Sequence, residues 1–170
     1  MDILSLFIVL PVLTVLVLVF TKNLKQARIV AMAGSLAQLG MAINLIFAYL
    51  REIETNDAIM VFTKDVVWFK NFNIHYNIGV DGISVALLVL TAIVVLAGVF
   101  ISWRMEDLPK EFFISLIVLS IGVYGFFISI DLFTMFVFFE IAVIPMYLLI
   151  GIWGTGPREF SAMKLTLMLM

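Results

Sequence analysis

Residues 132–153, LFTMFVFFEIAVIPMYLLIGIW, constrain this chain more than any other stretch. The run carries a single charge, Glu140, with Pro145 following five positions later. Its length matches the roughly 20 residues an α-helix needs to cross a bilayer core. A carboxylate near the middle of such a helix costs on the order of 3 kcal/mol even on lenient insertion scales. It is tolerated where it faces the bundle interior, finds a polar partner or water, or keeps its proton. Apolar burial favours the protonated form of a carboxyl, and a nearby cation favours the ionised form. Where the two compete, a proton can be taken up and released near neutral pH. Glu140 is the first candidate for such a site.

Other runs of similar length recur, and they set the fold class. The sequence is 64% hydrophobic and 13% charged, well outside the range of soluble domains. With no water in the hydrocarbon, each backbone N–H and C=O must be bonded internally, and a helix does this locally. The expected architecture is an all-α polytopic membrane protein with five transmembrane helices and the start of a sixth. The sequence contains no cysteine, which excludes disulfides, thiolate metal sites and iron–sulfur ligation by these residues. A net charge of −2 says little, and nothing in the charge pattern calls for a nucleic-acid partner.

The first run, Ile3–Phe20, has its basic residues (Lys22, Lys25, Arg28) after it and no small-residue cleavage motif. It reads as a retained helix rather than a signal peptide. The second run, Ile29–Leu50, carries Gly34, Ser35, Ala37 and Gly40, small residues that let helices approach closely. Gln38 and Asn44 interrupt it and read as interhelical hydrogen-bonding groups, with a place on a proton path as the alternative. Arg51–Asn77 is the long hydrophilic connection. Its alternating apolar and aromatic residues from Ile59 to Tyr76 fit a short hairpin lying at the surface. Trp68, Phe69, Phe72 and Tyr76 suit the headgroup zone. His75 is the sole histidine and cannot build a metal site without partners.

Asp81-Gly-Ile-Ser84 opens the third helix, which runs to Trp103. Asp81 reads as its N-cap. After a polar turn containing Pro109, the fourth helix spans Phe112–Ile130, with Gly122, Gly125 and Ser129 as a packing face. Asp131 alone separates it from the fifth. Gly154–Glu159 breaks the fifth helix, and Ser161–Met170 begins a sixth run. The chain thus divides at 77/78. Residues 1–77 form a two-helix segment with an external loop, and 78–170 hold helices three to five with the start of the sixth. Basic residues concentrate in the turns after helices one, three and five: Lys22, Lys25, Arg28, Arg104, Lys110 and Arg158. The positive-inside rule places those turns in the cytoplasm and the N-terminus outside.

At about 1.5 Å of rise per residue, Glu140 lies roughly 12 Å from one end of its helix and roughly 20 Å from the other. Pro145 has no N–H for the carbonyl of Ile141 and crowds it, so a kink is expected beside the acid. Lys164 lies about one turn into the sixth run. It can snorkel to the surface or act as a secondary relay, but roughly 14 Å of depth separates it from Glu140. Phe133, Phe136, Phe138 and Phe139 fall on several helix faces and read as packing or lipid contacts.

Two segments carry a family likeness: Ile78–Ser84, IGVDGIS, and Phe138–Trp153, FFEIAVIPMYLLIGIW, followed by Ser161-Ala-Met-Lys164. Together they resemble the antiporter-like membrane subunits of proton-pumping NADH:quinone oxidoreductase, respiratory complex I, most closely the NuoM type. The GVDGIS stretch is also similar to Mrp-type sodium/proton antiporters and to the sister subunit NuoL. The resemblance implies a proton channel of two inverted five-helix repeats, in which the glutamate matching Glu140 pairs with a lysine on a broken seventh helix. The lysine matching Lys164 is a secondary position. Family members have about fourteen helices, so the likeness implies either the N-terminal portion of such a subunit, with an incomplete first half-channel, or a chain that cannot conduct protons by the family's route. It also implies sister antiporter-like chains as partners, and flavin, iron–sulfur clusters and quinone held by other subunits, with no cofactor or metal in this chain. Proton translocation driven by quinone reduction elsewhere is the leading expectation. A cation/proton antiporter subunit and a structural scaffold are the alternatives.

Overall fold

The structure is a computed structural model that describes residues 3–55, 60–69, 74–105 and 109–169. Its elements are α1 (Ile3–Phe20), α2 (Leu24–Thr55), β1 (Val61–Phe69), β2 (Ile74–Val80), α3 (Gly82–Ile101), α4 (Pro109–Ile128), α5 (Leu132–Trp153) and α6 (Arg158–Leu169). Five of the helices, α1 to α5, are long and apolar enough to cross a membrane.

Boundaries of the second, third and fourth helices differ from the sequence expectation, each for a local reason. The second helix, read as Ile29–Leu50, runs from Leu24 to Thr55. The lysine, glutamine, arginine and glutamate residues flanking its apolar run are good helix formers, so the helix continues past the hydrocarbon. The fourth starts at Pro109 rather than Phe112, because proline at the first helical position loses no hydrogen bond. It ends at Ile128, since Ser129 and Ile130 pair with β2 instead. The third ends in a 3-10 turn over Ser102–Arg104.

The hairpin expected in the connection between the second and third helices is present, and one part of it is set deeper than expected. β1 and β2 are antiparallel, with Val61 opposite Val80 and Lys64 opposite Ile78. The irregularity between those pairs coincides with Phe62, which has a φ of 58°. Thr63, Lys64 and Asp65 are exposed, but Val61, Ile78 and Val80 are buried. Ile78 and Val80 join Leu4, Phe7, Leu45, Leu88, Tyr124 and Ile128 in one core cluster. The backbone N–H of Ile130 donates to the carbonyl of Asn77 at 2.9 Å, so the hairpin is stitched to the α4–α5 turn. Ile78–Val80 of the IGVDGIS stretch therefore belong to β2, which crosses the 77/78 division. Trp68 and Phe69 side chains, and all of Phe72, lie outside the described residues.

Two aspartates start helices at this hairpin end. The Asp81 carboxylate accepts from the Ser84 N–H at 2.8 Å, and that of Asp131 accepts from Phe133 and Thr134 at 3.0 and 3.2 Å. The side-chain and backbone hydrogen bonds of Ser84 hold Asp81 below its ordinary value of 3.8. A depressed carboxyl stabilises the fold fully above its unfolded-state value and ceases to do so as pH falls through the lower folded-state value. Asp81→Ala is expected to cost about 1 kcal/mol at pH 7, read by thermal unfolding in detergent. That deficit should shrink below about pH 4, whereas an Asp81→Asn variant should show no such pH dependence.

Cations cap helices at the opposite end. Lys110 Nζ donates to the carbonyls of Val19 and Thr21 at 2.9 and 2.8 Å, where α1 ends. Arg158 Nη1 donates to Ile152 O at 2.9 Å near the end of α5. Arg28 Nη2 donates to Met105 O at 3.0 Å. Each places positive charge on carbonyls left without intrahelical partners. The basic turns thus gather at one end of the bundle.

Helix α4 is the hub, packed against α1, α2, α3 and α5. Gly122 and Gly125 seat α5: a methyl at Gly122 would meet Ala142 Cβ and N at 2.7 Å and Phe138 O at 2.8 Å, and Gly125 faces the Phe138 ring. In α2 the small residues divide. Gly34 lies against Thr14 and Ser35 is buried, but Ala37 is exposed and Gly40 has open space around it. Gln38 is buried beside Tyr124, whose hydroxyl lies 3.5 Å from Gln38 Oε1. Asn44, expected to bond between helices, is instead exposed on the outer face of α2.

Candidate functional site

Helix α5 lies at the edge of the bundle. Thr134, Ala142, Val143 and Pro145 form its buried side, directed at α4. Over its most apolar stretch only 22% of residues are buried, against 39% for α4. The other side presents Phe133, Phe136, Val137, Glu140 and Ile144, spaced three and four apart and so aligned along one helix face. An open groove of about 720 Å³ follows this face, lined by Asp131, Glu140 and six apolar side chains from Leu132 to Ile144.

Glu140 therefore does not point into the core between α1 and α4. It is partly exposed within an apolar groove on the outer wall, roughly 12 Å along the helix from its start. Asp131, at the mouth of the groove, spends its carboxylate on the N-cap. Pro145 is buried and α5 is continuous through it. Proline nevertheless offers no N–H to the carbonyl of Ile141, and Ile141 also lines the groove. That carbonyl points along the helix toward buried Pro145, so between Asp131 and Ile144 the Glu140 carboxyl is the one polar spot among the residues lining the groove. Chemically, such a spot can hold a water, or meet a hydrogen-bond donor or cation carried by whatever covers the groove.

Lys164 is exposed on α6, in a separate groove with Phe160, Met163, Leu167 and Met168. Helix α6 packs on α5 at another face, where Gly151 receives Ala162. The structure does not bring Lys164 and Glu140 together, and they form no ion pair. His75 lies in β2 opposite Val67; its side chain is outside the described residues. Sequence reasoning treated Arg28, Lys110 and Arg158 only as orientation signals. Their capping roles depend on which carbonyls the fold delivers to them.

Comparisons with known proteins agree with this architecture. Residues 129–170, from the end of α4 through α6, match a family model described as NADH:quinone oxidoreductase/Mrp antiporter, TM. The chain is 30% identical over 161 residues to F(420)H(2) dehydrogenase subunit M of Methanosarcina mazei, covering 94% of this chain and 32% of that protein. It is 38% identical over 105 residues to NADH-quinone oxidoreductase subunit M of Rhodobacter capsulatus, covering 62% and 20%. Among solved structures, a chain of respiratory complex I from Thermus thermophilus with bound NADH superposes with a TM-score of 0.77 at 21% identity. That match covers 96% of this chain and 32% of the other. A chain of the membrane-bound sulfane sulfur reductase, an archaeal respiratory membrane complex, gives 0.70 at 19% identity. The chain spans about a third of the length of the M. mazei relative and of both structural matches.

Proposed function

We propose, for a chain that is related over nearly all its length to the antiporter-like membrane subunits of NADH:quinone oxidoreductases, that it works in the proton-translocating membrane part of such a complex. The observation that carries this reading is Glu140, an ionisable side chain at membrane depth in a groove that α1–α6 leave open. An acid in that position is expensive in hydrocarbon and is kept where it pairs or exchanges protons. Its covering partner would come from further transmembrane helices carrying a cation, as the family likeness implies. Charge displaced by quinone reduction in another subunit would move that cation. The balance between protonated and ionised carboxyl would then shift. The chain itself would hold neither nicotinamide nor quinone. Flavin and iron–sulfur clusters would sit in partner subunits, with sister antiporter-like chains alongside in the membrane.

The capped basic end would face the cytoplasm, which places the N-terminus of α1 and the hairpin on the periplasmic side of a bacterial inner membrane. The description of the matching family model also names Mrp antiporters, so a cation/proton exchanger without redox partners is the second reading. One experiment separates them. The full-length protein, tagged and purified from its native membrane in mild detergent, should carry flavin and iron–sulfur absorbance with it. It should also acidify inverted vesicles when a reduced nicotinamide is supplied. An all-membrane assembly with cation-driven proton exchange would establish the second reading instead.

A further inference from the structure

A second groove lies at the basic end of the bundle, between α2 and α3. It is lined by Met32, Leu36, Phe100, Ile101, Trp103 and Arg104 and measures about 540 Å³, a volume in the range of ordinary small-molecule sites. Its polarity is graded. Leu36, Phe100 and Ile101 are more than half solvent-accessible or nearly so (50%, 58% and 84%), an oily wall that in a membrane faces acyl chains. At the end of α3 stand Trp103, an amphipathic ring of the kind that collects at headgroup depth, and Arg104. Among the described residues Arg104 has no hydrogen-bond or ion-pair partner.

Arg28 continues the same wall. It precedes Met32 by one turn on α2, so Arg28, Met32 and Leu36 follow one stripe. Its guanidinium holds the carbonyl of Met105, next to Arg104. Its Nε is buried without a hydrogen-bond partner among the described residues. A buried donor left unmatched calls for an acceptor. The groove therefore offers one unpaired cation, Arg104, at its polar end, with Arg28 and its unmet donor behind the wall, above an apolar channel running toward mid-bilayer.

We propose that this groove binds one anionic glycerophospholipid. An acyl chain lies along Met32, Leu36 and Phe100, the glycerol sits at Trp103, and the phosphate is held by Arg104 at the mouth beside Arg28. Charge complementarity selects the occupant: basic pockets between helices at the cytoplasmic face take up acidic headgroups. A covering protein helix would instead need an acid of its own opposite Arg104. The site rests on the bundle spanning a bilayer with its basic end at the cytoplasmic face, as proposed above, and it is independent of any proton movement at Glu140.

The test uses the full-length protein in its native membrane assembly, exchanged into phosphatidylcholine nanodiscs and titrated with phosphatidylglycerol. Bound lipid is counted by native mass spectrometry. One phosphatidylglycerol is expected to be retained. Arg104→Gln should raise the half-saturating amount roughly fivefold, the effect of one surface cation on an anionic lipid. Leu36→Trp, which fills the channel and leaves both arginines in place, should abolish retention. Equal retention by wild type and both variants overturns the proposal. So does loss of a protein subunit rather than a lipid from the variants.

Discussion

Glu140→Gln is expected to reduce proton movement through the full-length protein to background while leaving its assembly intact. Glutamine keeps the size and hydrogen-bonding reach of the side chain but has no proton to give and no charge to take. Stability gives no competing explanation for the loss. The carboxyl sits in an apolar groove, and exchanging an ionisable group there for a neutral amide removes a burden on the order of 3 kcal/mol rather than adding one. Acidification of inverted vesicles, measured beside the dehydrogenase turnover of the same preparation, separates chemistry from folding. Unchanged proton yield per turnover in the Gln variant would strip Glu140 of its role. Glu140→Asp keeps the acid but shortens its reach by one methylene, so partial proton movement is expected. If Asp and Gln both leave the proton yield per turnover unchanged, the position serves packing and not proton exchange.

Gly122→Ala should be among the most damaging single-methyl additions in the chain. The new Cβ would sit 2.7 Å from Ala142 Cβ and N and 2.8 Å from Phe138 O. Two of those three atoms are helix backbone and cannot swing aside, so α5 as a whole must shift. Overpacking of this kind costs typically 1–3 kcal/mol. Glu140 lies between Phe138 and Ala142, so the same shift displaces the groove. Two controls fix the interpretation. Gly98→Ala would meet only the tip of Leu116 at 3.3 Å, which can move, and Gly40→Ala meets nothing within 4 Å. Replacing Gly40 should therefore stabilise by about 0.5–1 kcal/mol through helix propensity alone. Thermal unfolding in detergent should rank the variants Gly40→Ala, Gly98→Ala, Gly122→Ala, from most to least stable. A neutral Gly122→Ala would mean that α5 gives way at this crossing without loss of packing.

The contrast between Gly40 and Gly122 also shows how far the sequence could be read. Both are small residues in apolar runs, and composition cannot tell a glycine at a helix crossing from one facing outward. The same holds for Gln38 and Asn44, six positions apart on α2. One is buried beside Tyr124, the other is exposed. The apolar runs are nearly uniform around their circumference, so they carry little record of which side meets protein and which meets lipid. The hairpin was legible in its alternation, but its burial was not, because that depends on the ends of α1, α3 and α4 presenting a cover.

The sequence by itself determined what local physics controls. Run length gave five spanning helices, Asp81 and Asp131 marked two helix starts, and the spacing of basic turns gave the two ends of the bundle. Glu140 stood out because one charge amid twenty-two residues has an energetic consequence wherever the helix lies. Only the tertiary structure decided that α4 is the hub, that α5 turns its acid outward into an open groove, and that Lys164 belongs to a different one. The reason is physical: bilayer insertion acts on each segment separately, whereas facing and neighbourhood arise from close packing between segments, and lipid tails and side chains are equally apolar surroundings.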